Sequence, residues 1–238
     1  MNWEKFKDNF HESWHAKMQP FIESEACDEI YAFLKKEAGR GKKIAPLSSD
    51  VWRAFKETPL TDLKVIMIGM CPYHTAKNGI PVADGLLMGC SKTGQLQPSL
   101  EKFYGGIENE LYEGLSVDTM RSPDVSYLAK QGVLMLNAAL TTEINKAGSH
   151  IANWKPLIEY LFEHVFQYEG APVIFLGKDA ARYRKLIAPF KWCFTVSHPA
   201  SAAYKQCDWD TEGVFGKVNK IIKENNNYEI QWLEKLPF

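Results

Sequence analysis

The chain has 238 residues, of which 45% are hydrophobic, 13% aromatic and 24% charged. That balance excludes a disordered chain and fits one medium domain, residues 1–238. With 28 Lys and Arg against 29 Asp and Glu, the formal charge of −1 excludes the bulk basic excess of a strong nucleic-acid binder, so any such contact has to be local.

No apolar run reaches the roughly 20 residues that span a bilayer, and the N-terminal stretch "MNWEKFKDNF" lacks the apolar centre of a signal peptide. An intracellular protein, cytoplasmic or nuclear and without membrane contact, is the expectation. Cys27, Cys71, Cys90, Cys193 and Cys207 are odd in number and include no CxxC pair. They read as reduced thiols rather than as a zinc ribbon or a disulfide framework.

In chain order, "HESWH" (His11 to His15) has the spacing of two zinc ligands one helical turn apart. It lacks a third ligand, and Phe10, Trp14 and Met18 give it the pattern of a docking helix, so no metal is expected. "GRGKK" (Gly39 to Lys43) reads as a solvated loop. Four short apolar runs then stand out: "VIMIG" from Val65, "VLMLN" from Val133, "VIFLG" from Val173 and "WCFTVSH" from Trp192. Such runs suit strands of a parallel sheet covered on both faces.

Between the first two runs, "PSLEKFYGGIENEL" opens a helix at Pro98 with Ser99 close behind. "SPDVSYLAKQG" predicts a second, with Ser122 as cap, Pro123 in the first turn and Gly132 as terminator. "GSHIANW", from Gly148, sets flexible backbone, a hydroxyl and an imidazole before a helix starting near Asn153, whose free N–H groups suit a phosphate. "FLGKDAA" lacks the upstream glycine of a nucleotide-binding phosphate loop, and no cofactor is expected. "SHPASAAY" ends a strand at His198 and fixes the turn with Pro199; Ser197, Ser201 and free amides there suit a grip on a DNA backbone without net positive charge.

Alternating strands and helices predict an α/β fold, three-layered, with a central four-stranded parallel sheet. Ligands of such sheets bind outside the carboxyl ends of the strands. The four runs end in Gly69, Cys71, Tyr73 and His74; in Asn137; in Gly177 and Lys178; and in Ser197 and His198, so these polar clusters are expected on one rim.

Together these segments resemble the classical family of uracil-DNA glycosylases, over most of the chain. "IAPLSSDVWRAFKETPLTDLKVIMIGMCPYH", from Ile44, is similar to the family's water-activating GQDPYH loop and its approach. "QPSLEKFYGGIENEL" resembles the helix after the proline-rich loop, "LAKQGVLMLNAALTT" with "AGSH" the uracil-reading strand, and "SHPASAAY" the HPSP(L) leucine loop. The resemblance implies a glycosylase fold and hydrolysis of the N-glycosidic bond of uracil or a related base flipped out of DNA. It implies that Asn137 reads the pyrimidine edge, that Tyr73 excludes a C5 methyl, and that His198 donates to O2 as charge develops on the leaving base. Ser99, His150, Ser197 and Ser201 become phosphate contacts. DNA, single- or double-stranded, is the implied partner of a monomer, with a protein inhibitor or replication partner left open.

Four departures from the pattern matter. Cys71 stands where the family has the aspartate that orients water and stabilises the sugar cation, and Met70 stands for its glutamine. The insert "TAKNGIPVADGLLMG" is longer, and the base-stacking aromatic becomes Met88, with Leu87 as the alternative. The proline-rich loop keeps only Pro98, and the DNA-wedging leucine becomes Ala202, with Tyr204 as a neighbouring substitute. Three readings follow: a hydrolytic glycosylase, a covalent or base-exchanging enzyme with Cys71 as nucleophile, and a DNA-docking module without chemistry.

Overall fold

The computed structural model describes residues 1–113, 119–167, 170–187 and 192–235. At its centre four parallel strands, β1 (Val65–Gly69), β2 (Val133–Asn137), β3 (Val173–Leu176) and β4 (Cys193–Val196), lie in the order β2-β1-β3-β4. Pairing runs from Val65 against Val133 to Gly69 against Asn137, from Ile66 against Val173 to Ile68 against Phe175, and from Val173 against Cys193 to Leu176 against Val196. The first three strands are buried throughout, as the unbroken apolar runs require. β4 departs from that expectation: unlike β2 at the opposite edge it is not covered, Cys193 and Phe194 are half-buried, Thr195 is exposed, and Trp192 beside it is 43% exposed.

Around the sheet lie α1 (His15–Ile22), α2 (Glu25–Gly39), α3 (Arg53–Glu57), α4 (Pro98–Tyr112), α5 (Ser126–Ala129), α6 (Ile151–Leu161), α7 (Lys178–Ala181), α8 (Pro199–Lys205) and α9 (Val214–Asn226). α4 starts at Pro98 as read from sequence, because its fixed φ suits the first helical turn and its missing N–H costs nothing there. α5 starts later than Ser122 and Pro123 suggested. Ser122 Oγ accepts from the Asp124 N–H (3.1 Å) and Asp124 Oδ1 from the Ser126 N–H (3.0 Å), so two side-chain turns precede the helix. Gly132 does end this segment, with φ +90°; a Cβ there would lie 2.0 Å from the Asp62 carbonyl oxygen. α6 begins at Ile151, two residues before the expected Asn153, with His150 immediately ahead of it.

The segment around "HESWH" docks against the core. Trp14 and Met18 are fully buried, Phe10 nearly so, and the Trp14 indole donates to the Thr58 carbonyl at 2.7 Å. Trp14 meets Phe55 edge to face, and Phe10, Trp52 and Trp154 continue the aromatic cluster. Among the described residues no three His, Cys, Asp or Glu side chains converge as metal ligands, and no helix is long and apolar enough to cross a membrane. The long insert forms a hairpin, Ala76–Lys77 against Ile80–Pro81, turned by Asn78 (φ 51°) and Gly79 (φ 81°). Two successive positive φ values select Asn-Gly.

Trp14→Ala removes a fully buried indole and its hydrogen bond, and is expected to cost about 3–5 kcal/mol, a size typical of buried Trp truncation. Chemical denaturation of the two proteins measures it; a loss below about 1 kcal/mol would show that the N-terminal segment does not support the sheet domain.

Candidate active site at the carboxyl rim of the sheet

The rim is built on the pairing of β1 with β2, which continues past both strands. Ala138 N–H donates to the Gly69 carbonyl (2.9 Å) and Ala139 N–H to that of Met70 (3.0 Å). Gly69 is thereby fixed beside Asn137, with Met70 one row further on beside Ala138. Gly69 is the point on which the site closes: a Cβ there would stand 2.4 Å from Leu87 Cδ1, 3.5 Å from Asn137 Oδ1 and 3.6 Å from His198 Nε2. Three side chains from three different segments face one spot that only glycine leaves open.

Asn137 is 2% exposed, and its Oδ1 is buried without a hydrogen-bond partner. A buried carbonyl oxygen left unpaired is unusual enough to point to a ligand donor. His198 caps α8: its Nδ1 accepts from the Ala200 N–H at 3.1 Å, so the neutral ring carries its proton on Nε2, the nitrogen that faces Gly69. Burial pushes its pKa down to about 4, which keeps the imidazole uncharged at neutral pH. Gly177 (φ +86°) packs against it, a Cβ there lying 3.2 Å from that of His198. The rim thus offers an acceptor and a neutral donor a short distance apart.

The floor comes from residues 84–91. Asp84, fully buried, is paired with Arg53 at 2.8 Å and accepts from the Ser91 hydroxyl at 2.6 Å, while the Leu87 N–H donates to the Met135 carbonyl at 2.9 Å. Leu87 touches the Gly69 spot; Met88 follows, 5% exposed, with φ +59°. The Asp84–Arg53 pair was not legible in sequence, since the partners lie 31 residues apart. Tyr73 is held by Ser99: their hydroxyls are 2.7 Å apart, and burial pushes the phenol far above its ordinary pKa. Ser99 is itself 5% exposed, so its hydroxyl orients Tyr73 rather than standing free for a phosphate.

Cys71 lies partly exposed beside this cradle, its sulfur accepting from the Gly148 N–H at 3.2 Å. Burial raises its pKa, opposed by the Gly148 bond and reinforced by the negative charge of Asp179. The group is a thiol at neutral pH. His150, expected at a phosphate, is 1% exposed: Nδ1 pairs with the Thr141 hydroxyl (2.9 Å), which also accepts from the Trp154 indole (2.6 Å), and Phe33 meets the ring edge on. It is a strut under the rim and not a surface group.

On the other side, Ser197 and Ser201 are exposed; the Ser197 carbonyl and hydroxyl both accept from the Trp209 indole (2.8 and 3.2 Å), and the Ser201 N–H donates to the His198 carbonyl (2.8 Å). Ala202 is not a wedge. It is 6% exposed, whereas Tyr204 is 91% exposed. Two residues apart on a helix is roughly 200°, so the two point to opposite sides.

The matches with known proteins agree with this geometry. The family model described as the uracil DNA glycosylase superfamily matches residues 55–223. The uracil-DNA glycosylase of Pseudomonas aeruginosa is 31% identical over 224 residues, 92% of this chain and 93% of the relative. That of Acinetobacter baumannii is 30% identical over 230 residues, 95% of this chain and 93% of the relative. Among solved structures, mimivirus uracil-DNA glycosylase superposes with a TM-score of 0.83 at 19% identity, covering 98% of this chain and 89% of that one. A variant of the mimivirus protein, solved in complex with UGI, gives 0.83 at 18% identity, covering 98% and 91%. With a family match over most of its length and relatives at 30–31% identity along nearly all of it, the chain belongs to the uracil-DNA glycosylase superfamily.

Proposed function

We propose that this protein is a DNA glycosylase that hydrolyses the N-glycosidic bond of uracil, or of a base with the same hydrogen-bonding edge, flipped out of DNA. The observation that carries this reading is the unpaired, buried Oδ1 of Asn137 beside the neutral Nε2–H of His198 at Gly69. Uracil presents an N3–H donor where cytosine presents a bare nitrogen acceptor. An amide oxygen fixed by β2 therefore welcomes the first and is left unpaired, or repelled, by the second.

As the bond breaks, both electrons stay with the base, and charge grows on its carbonyl oxygen. A preformed neutral N–H there stabilises that charge without reorganisation, typically for two to three orders of magnitude in rate. Tyr73, locked by Ser99, walls the C5 side against a methyl group. Leu87 and Met88 supply an apolar floor. At the DNA, the exposed Ser197 and Ser201 and the protruding Tyr204 are the groups positioned for the backbone and the vacated stack. A protonated, partly buried thiol at Cys71 favours hydrolysis over covalent attack by sulfur, since the thiolate is the nucleophile.

Incubation with a uracil-containing oligonucleotide, single-stranded and as a U·G duplex, with intact-protein mass read in parallel, tests this directly. Free uracil with unmodified protein is expected. A mass adduct at Cys71 would mean covalent chemistry, and neither signal would remove the glycosylase reading. Asn137→Ala is expected to lower base release by about 10²-fold or more while DNA affinity falls only a few-fold, because the phosphate contacts remain; equal loss of both would deny it a reading role. Cys71→Asp is expected to raise excision by about tenfold or more, as a carboxylate replaces a neutral thiol beside the sugar. The pH–rate profile should show no inflection near 6.5, the ordinary histidine value, because His198 stays neutral down to about 4. An inflection there assigned to His198 by its loss in His198→Gln would mean that the imidazole is not held neutral.

A further inference from the structure

Trp209 belongs to none of the segments that mark the rim in sequence, yet its indole bonds Ser197, the residue immediately before His198. We infer that Trp209 is a positioning residue that sets the Ser197 hydroxyl as a hydrogen-bond donor to a phosphate beside the flipped nucleotide, a role within the glycosylase reading proposed above, on which it rests.

The clamp is rigid. Trp209 is 3% exposed. Its ring stacks on Phe103 of α4, with centroids 5.9 Å apart and planes at 26°, and meets Phe215 of α9 at 72° and 5.9 Å. α4 comes so close that a Cβ at Gly106 would stand 2.6 Å from Cε3 of the indole. Held in this way, the indole N–H reaches the Ser197 carbonyl oxygen at 2.8 Å and Oγ at 3.2 Å. A donor shared between the two ties the hydroxyl to its own backbone and fixes a side chain that is otherwise exposed.

An indole only donates, whereas a hydroxyl has one proton and two acceptor sites. The Trp209 N–H takes one acceptor site of Ser197, and the serine proton has no acceptor among the described residues. That arrangement fits a partner that accepts and has no proton to give. A phosphodiester oxygen is such a partner, and its charge strengthens the bond without a lysine or arginine opposite. The position fits as well: Ser197 adjoins His198, whose Nε2 faces the Gly69 spot, so a group held by Ser197 lies one residue, about 3.8 Å along the chain, from the ring that meets the base. Of the acids flanking Trp209, Asp208 is paired with Lys102 of α4 at 3.6 Å, and Asp210 accepts from the Glu212 N–H at 2.8 Å.

Single-turnover uracil release by the full chain, followed over a range of protein concentrations, gives the half-saturation and the saturated rate together. Trp209→Phe keeps a ring on Phe103 and removes the N–H. It is expected to raise the half-saturation concentration about tenfold, the size of a lost hydrogen bond to a charged group, with the saturated rate within about threefold. Ser197→Ala should do the same, and the double variant should lose no more than either alone, because both act on one bond. A methylphosphonate at one of the two phosphates flanking the uracil should weaken the wild type at least three times more than it weakens either variant; a merely structural role for Trp209 leaves that sensitivity in place. Unchanged half-saturation in either folded variant, losses that multiply in the double variant, or equal sensitivity to the methylphosphonate overturns the assignment and leaves the glycosylase reading intact. If Trp209→Phe does not fold, Ser197→Ala decides alone: loss of both affinity and methylphosphonate sensitivity supports the assignment, and retention of either overturns it. No base release from the wild-type chain overturns the glycosylase reading, and fluorescence anisotropy of the same oligonucleotides then makes the same comparison of binding.

Discussion

Everything at the rim depends on a side chain that is not there. Leu87, Asn137 and His198 come from a loop, the end of β2 at one edge of the sheet and the turn that follows β4 at the other, and they face one another because residue 69 has no Cβ to hold them off. The in-register pairing of Gly69 with Asn137, extended by the bonds from Ala138 and Ala139, makes that approach rigid. Rigid placement is what distinguishes a group that stabilises a transition state from one that merely binds, since donors that need not reorganise contribute more.

Around this point the fold keeps the side chains uncharged. His198 is neutral by burial, Cys71 is a thiol, and Tyr73 is tied to Ser99. The buried ion pair of Asp84 and Arg53 lies behind the floor, where it holds residues 84–91 in place. A neutral cradle suits a leaving group that becomes an anion only at the transition state: a full positive charge would also grip the ground state of any acidic ligand, and such uniform binding adds nothing to the chemical step.

Much of the architecture was legible because it rests on short-range rules. Unbroken apolar runs gave the central strands, and Pro98 and Gly132 marked boundaries that the structure keeps. The carboxyl-end rule puts Asn137, His198 and Cys71 on one rim. What could not be read was side-chain direction within a turn. Ala202 and Tyr204 look equally available in "SHPASAAY", yet helical geometry buries one and projects the other. His150 looks like a loop residue until Thr141, Trp154 and Phe33 close over it. The start of α5 was missed because Ser122 and Asp124 satisfied backbone donors locally and delayed the helix.

The unpaired oxygen of Asn137 has one more consequence. A buried acceptor without a donor destabilises the folded chain by about 1–3 kcal/mol. A base that presents an N–H to it restores that energy on entry, on top of any contact it makes elsewhere. On the glycosylase reading proposed above, the group that recognises the base therefore holds the protein slightly below its own stability optimum, and selectivity is built into the fold itself.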